Sequence, residues 1–270
     1  DLEYKIARRK AIEVLALFDC KDAIPIIGGY LKDEDPYLVE TVIWSLGELK
    51  CIDIHIVNEI IAMLYKPIRN KRIVIQTLAK LGISTEIEII RSFSEDLKLE
   101  TSVRGASIAA LMSLDDNNSR CNDLKDFLSL PNQNDRHCAV EDIINSGNIL
   151  MLPCVLKAPV SPSFKIRAID KMWSYKESTS HDLNLIDLLD STIIDNPIEI
   201  DTFEVSNFNL DKVFLIDQLF HTDFNRCYHS IKELLKFPSD ILLYYLNNNW
   251  DRAKSDYGAI YFFITVYKLL

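Results

Sequence analysis

Trp44 and Glu48 are residues whose type and spacing suggest chemistry. Four apart, they share one face of a helix, and an indole beside a carboxylate can form part of a site for a flat, nitrogen-bearing ligand. The same pair can be a packed ridge with a solvated charge. Few other residues offer a reactive set. No G-x-S-x-G or H-E-x-x-H occurs, and no cysteine has an obvious partner histidine. Cys20, Cys51, Cys121, Cys138, Cys154 and Cys227 are scattered without a CxxC pair and read as reduced thiols. His221 and His229 are eight apart, and His137 stands beside Cys138 without a second ligand pair, so no metal site is expected. With 7 glycines in 270 residues and no strand-turn-helix context, a phosphate-cradling loop is not expected either. Gly28 and Gly29 lie inside a helical pattern, as a packing or curvature site.

The element that carries Trp44 and Glu48 is the stretch Asp33 to Leu49, DEDPYLVETVIWSLGEL. Pro36 opens a helix where its missing N–H is harmless, with Glu34 and Asp35 near the positive end of the dipole. Leu38, Val42, Leu46 and Leu49 recur at helical spacing and predict a buried stripe. The stretch also sets the phase of a repeat. AIEVLALF at Ala11, VIWSLGEL at Val42, VIQTLAKL at Val74, SIAALMSL at Ser107, AVEDIINS at Ala139 and AIDKMWSY at Ala168 follow at steps of 31, 32, 33, 32 and 29 residues.

Each unit reads as two helices with a short break: Glu3 to Phe18 then Ala23 to Leu31, and the Pro36 helix then a second from Ile54 to Pro67. Gly82 stops the third first helix and the run Asp115 to Ser119 the fourth. Such hairpins cannot bury their apolar faces alone, so they must stack. The expected fold is all-α: an α/α superhelix, a HEAT-like solenoid with second helices on its concave side. One solenoid spans 1–270, regular over 1–132 and irregular over 133–270. In the irregular part, Pro153, Pro159 and Pro162 shorten a second helix, and a polar turn runs from Glu177 to Asp182. Asp195 to Asn209 is the weakest internal boundary, and helices return at Leu210 to Phe220, Arg226 to Leu235 and Ser239 to Leu246.

A hydrophobic content of 48% is ample for a core, while a net charge of −10 and a pI near 5.0 disfavour a nucleic-acid partner. No apolar run approaches the roughly 20 residues that span a bilayer, so no membrane partner is expected. The chain starts without Met and stops soon after residue 261, which suggests a piece of a longer or processed chain. On physics alone, a repeat scaffold binds more readily than it catalyses.

Two local sequences go further. Asp35-Pro36-Tyr37-Leu38-Val39-Glu40 with Trp44-Ser45-Leu46-Gly47-Glu48-Leu49, and Asp256-Tyr257-Gly258-Ala259-Ile260-Tyr261, together with the repeats, resemble the E/F-type phycobilin lyases, most closely those acting on phycoerythrin. These HEAT-repeat proteins attach open-chain tetrapyrroles to cysteines of phycobiliproteins. The segment after Tyr261, FFITVY, departs from the Ala- and Trp-rich pattern of relatives.

The resemblance implies a lyase that joins a bilin, phycoerythrobilin by the phycoerythrin likeness, to a phycobiliprotein cysteine through a thioether. An NHCQGN-like segment, expected of relatives that also isomerise the pigment, is absent, which implies ligation without isomerisation. A bilin is a long conjugated plane with pyrrole nitrogens and two propionates, so its site needs aromatic walls, carboxylates and cations. Trp44, Trp250, Tyr257 and Tyr261 would supply walls; Glu40, Glu48, Asp251 and Asp256 nitrogen contacts; Arg8, Arg9, Arg104 and Arg136 the cations. Asp256 or Glu48 would be the general acid. The implied partners are a phycobiliprotein subunit and the tetrapyrrole, with a second lyase subunit as in two-chain relatives. No resident cofactor is implied, and the implied location is the cytoplasm, or the plastid stroma in a eukaryotic host. The alternative is a non-catalytic HEAT scaffold or bilin carrier that docks a phycobiliprotein.

Overall fold

The computed structural model describes residues 2–66, 70–115, 118–174, 183–205 and 208–270, and among them every regular element is a helix. None of these helices is long and apolar enough to cross a membrane. The chain divides into two compact units, Asp1–Cys121 and Asn122–Leu270.

The first unit runs α1 (Leu2–Leu17), α2 (Ile24–Gly28), α3 (Pro36–Glu48), α4 (Ile54–Leu64), α5 (Lys71–Lys80), α6 (Ile87–Glu95) and α7 (Thr101–Asp115). The odd-numbered helices pack side by side in order, and each even-numbered helix lies against the odd one that follows it. This is the HEAT-like stacking that the period predicts. Starts are fixed by polar caps: Asp35 accepts from the Tyr37 N–H at 3.1 Å ahead of Pro36, Asp53 from His55 N–H at 2.9 Å, and Asn70 from Ile73 N–H at 3.3 Å. The stripe Leu38, Val42, Leu46 and Leu49 is no more than 1% exposed, each such side chain contributing roughly 1.5–3 kcal/mol by burial. Gly28 is the packing site expected, because a Cβ there would lie 2.5 Å from Ile56 Cδ1. Polar contacts between successive repeats tie the stack: Thr77 Oγ1 donates to the Ile43 carbonyl at 3.1 Å and Arg72 to the Ser102 carbonyl at 2.8 Å.

The chain continues through α8 (Cys121–Phe127), α9 (Gln133–Ser146), α10 (Leu152–Lys157), α11 (Pro162–Trp173), α12 (Leu185–Ile194), α13 (Lys212–Gln218), α14 (Phe224–Leu234), α15 (Ser239–Ala253) and α16 (Tyr257–Leu269). Leu215, Tyr228, Ile231, Leu246, Phe262 and Phe263 lie in the second unit's core. The helix expected to end at Leu246 runs on to Ala253, through three asparagines that are poor helix formers. Leu242, Leu246 and Ala253, all buried, keep the helical face packed across them, and tertiary contact overrides local preference. At the expected weak boundary, Pro197–Glu199 forms one 3-10 turn and the Asp201 N–H donates to the Lys157 carbonyl at 2.7 Å. The turn expected from Glu177 to Asp182, residues 116–117 of the fourth stop, Pro67, and residues 206–207 lie outside the described residues.

Candidate functional site

In the first unit, the loop before α3, the N-terminal half of α3, the end of α4 and the start of α5 enclose a groove of about 410 Å³. Leu31, Val39, Ile43, Met63 and Ile73 give it an apolar bed. Its charges sort by pairing. Lys32 is bonded to Glu59 at 2.6 Å and Asp33 to Arg8 at 2.6 Å. Glu34, Glu40 and Lys66 also line the groove, and among the described residues their side chains have no hydrogen-bond or ion-pair partner. Of the residues expected to contact ligand nitrogens, Glu40 lines this groove.

Neither Trp44 nor Glu48 lines that groove. Trp44 is half-buried against the first unit's core. Glu48 is ion-paired with Lys80, one repeat further on, so its charge ties α3 to α5. Gly47 between them explains the close approach: a Cβ would stand 3.3 Å from both Cγ2 and Oγ1 of Thr77. Arg8 sits over the Tyr4 and Tyr30 rings at 5.6 and 5.1 Å, and its hydrogen bond to Asp33 raises its pKa. Arg9 lies 3.9 Å from Asp35, the cap of α3, and over the Tyr37 ring at 5.3 Å. Arg104 is half-buried on α7.

In the second unit Arg136 is 0% exposed. It is ion-paired with Asp223, donates to the Leu130 and Pro131 carbonyls at 2.8 and 3.0 Å, and faces the Phe203 ring at 5.3 Å. Burial lowers its pKa and Asp223 opposes the shift. The resemblance offered Arg136 as a cation for a propionate; in the structure it is buried, where its apolar stem and three oxygen partners are met. Trp250 is half-buried edge-on to Tyr267, 5.6 Å between centroids. Asp251 is exposed and bonded to Lys254 at 2.6 Å, which lowers its pKa.

The late motif resolves into three separate jobs. Asp256 caps α16, its Oδ1 accepting the Gly258 and Ala259 N–H groups at 2.9 Å each. Tyr257 is 97% exposed at the first turn. Tyr261 turns inward and donates its hydroxyl to Asp195 Oδ2, an oxygen that Tyr228 also bonds. Lys165 donates to Asp195 Oδ1 at 2.7 Å, with Lys165 and Asp195 1% and 2% exposed. Burial first, then Asp195, raises the pKa of both tyrosines; burial lowers that of Lys165, against the pull of Asp195. Tyr261, expected as a flat wall, is half-buried, and its hydroxyl belongs to this interior network. Lys165, Asp195 and Tyr228 were not singled out from the sequence. A signal existed for Lys165, which heads the apolar face Ala168, Ile169 and Met172 at helical spacing.

HEAT repeats are matched over residues 3–53. The bilin biosynthesis protein CpeY of Synechococcus sp. (strain WH8020) is 37% identical over 264 residues, 97% of this chain. Phycocyanin operon protein Y of Pseudanabaena tenuis (strain PCC 7409) is 32% identical over 262 residues, 96% of this chain. The chain spans 62% of the length of each of these relatives. Among solved structures, the complex of CpcE and CpcF of phycocyanin lyase from Nostoc sp. PCC7120 shares the fold, with a TM-score of 0.59 and 23% identity, over 68% of this chain and 73% of that one. The chain is thus all-helical, carries HEAT repeats over residues 3–53 and is similar along nearly its whole length to a bilin biosynthesis protein, the kind of likeness its two motifs implied.

Proposed function

We propose that this chain acts as a phycobilin lyase, adding the thiol of a phycobiliprotein cysteine to an exocyclic double bond on a bilin's first ring. The carbon–sulfur bond forms as the double bond is consumed, a proton from a general acid reaches the tetrapyrrole, and the thiol proton restores the acid. The chain's part is to hold the pigment extended, exclude water and place that acid. Identity of 37% across 264 residues with a bilin biosynthesis protein carries this reading. Phycoerythrobilin and phycoerythrin are the finer assignment, and ligation proceeds without isomerisation. Asp256 is the acid of choice, since its Oδ2 has no partner among the described residues, whereas Glu48 is engaged by Lys80.

A carrier or scaffold is the second reading, favoured by the structural work that both candidate acids already perform. Coexpression with a bilin and an acceptor subunit, with and without a second lyase chain, separates the two. Acid-stable colour on the acceptor supports ligation, and colour held by this chain without transfer supports the carrier. No colour on either protein overturns both pigment readings and leaves a generic scaffold.

A further inference from the structure

The groove of the first unit combines three features of independent origin. Its floor is apolar. Its volume, about 410 Å³, falls within the roughly 300–1,000 Å³ of small-molecule sites. After internal pairing removes Lys32 with Glu59 and Asp33 with Arg8, two carboxylates, Glu34 and Glu40, and one ammonium, Lys66, remain without partners among the described residues. A ligand matching that set is apolar over its faces and carries N–H donors on one edge and a carboxylate nearby. Resting on the pigment reading above, we propose that this groove seats an open-chain tetrapyrrole, its pyrrole N–H edge toward Glu40 and Glu34 and a propionate toward Lys66.

A neutral apolar ligand would leave those three charges beside a dry surface, which is costly. A purely anionic ligand would face two carboxylates. The tetrapyrrole answers both signs of charge with one conjugated plane. The same placement gives the first motif a ligand role: Pro36, Val39 and Glu40 line the groove, while Asp35 caps the helix that presents them.

The test is an absorbance titration of the full chain with phycoerythrobilin, alongside transfer to an acceptor subunit. Glu40→Gln and Lys66→Glu each remove one charged contact, and about a tenfold loss of affinity is expected for each. Ala62→Trp fills the groove from an exposed position that lines it, and is expected to abolish saturable binding. Glu13→Gln, in the exposed Lys10–Glu13 pair of α1, serves as the control. Circular dichroism and denaturant midpoints matching the unsubstituted chain secure the comparison. If the chain binds and transfers pigment while all three groove variants bind it equally well, the groove assignment falls and the lyase reading stands. If the unsubstituted chain neither binds nor transfers pigment, both fall.

Discussion

Tyr261 donates its hydroxyl to Oδ2 of Asp195, a residue 66 positions earlier and buried in the second unit. Through that carboxylate the last residue of the DYGAIY motif is joined to Lys165 on α11 and Tyr228 on α14. Asp195 sits at the end of α12 with φ of 41°, in the left-handed region, where a short polar side chain is better tolerated than a branched one.

Asp195→Asn is therefore expected to destabilise the protein more than Tyr261→Phe. The first leaves the Lys165 ammonium buried without its counter-charge, a loss of about 3–5 kcal/mol. The second removes one hydroxyl from a carboxylate that keeps two partners, at about 1–2 kcal/mol. Both phenol pKa values are raised, so the stability they confer is fully present below pH 10 and is lost as pH rises through their folded-state values. Urea unfolding of the two variants at pH 8 and pH 10.5 measures this; equal losses for both substitutions would remove the ion pair from the account.

Gly47 is expected to show its role only against Thr77. Alanine gains about 1 kcal/mol in helix propensity over glycine, but here its Cβ would stand 3.3 Å from Thr77 Oγ1 and Cγ2. Overpacking of that kind costs about 1–3 kcal/mol. Gly47→Ala should destabilise the chain by about 1 kcal/mol in the Thr77 background, the balance of those two effects, and stabilise a Thr77→Ala background. The interaction energy from the double-mutant cycle reads the contact directly. An alanine effect that is the same in both backgrounds would show that Gly47 has some other purpose.

The helices were legible because the stripe Leu38, Val42, Leu46 and Leu49 is a local pattern, and the 3.6-residue period fixes which side faces inward. The motif residues were legible as important but not as to task. Nothing between positions 195 and 261 says that Tyr261 meets Asp195, since pairing over that separation depends on how α12, α14 and α16 pack. Arg136 was legible as a cation but not as to partner, for the same reason: Asp223, which pairs with it, stands 87 residues away. Glu40 was visible as one of four carboxylates, but its isolation from partners was not, because that depends on Lys32 choosing Glu59.

Asp256 can be separated into cap and acid by two substitutions. Asparagine caps a helix about as well as aspartate, whereas alanine loses about 0.5–2 kcal/mol. Asp256→Asn should keep the unfolding midpoint and lower pigment transfer; Asp256→Ala should lower both. Helicity by circular dichroism and transfer to an acceptor subunit are the readouts. Full transfer by Asp256→Asn would confine Asp256 to capping Gly258 and Ala259.

Acid should weaken the second unit before its carboxylates titrate. His137, His221 and His229 all have pKa values lowered from 6.5, in each case chiefly by burial. Arg136 reinforces the shift at His137 and Asp223 opposes it; Arg226 and Asp223 act in the same opposed way at His221. At His229, Lys232 and Lys236 lower the value while Glu233 and Glu204 raise it. Below pH 6.5 the unfolded chain takes up protons that the folded one refuses, so stability falls as pH drops through the interval between 6.5 and the lowered folded-state values. His137 stacks on Phe164 with centroids 4.1 Å apart and planes 13° from parallel, a contact a neutral ring keeps without desolvating a charge. His137→Gln should lower stability at pH 7.5 by losing the stack and flatten the decline between pH 6.5 and pH 5. Denaturant midpoints across that range test both parts, and an unchanged slope would exclude His137 as a contributor.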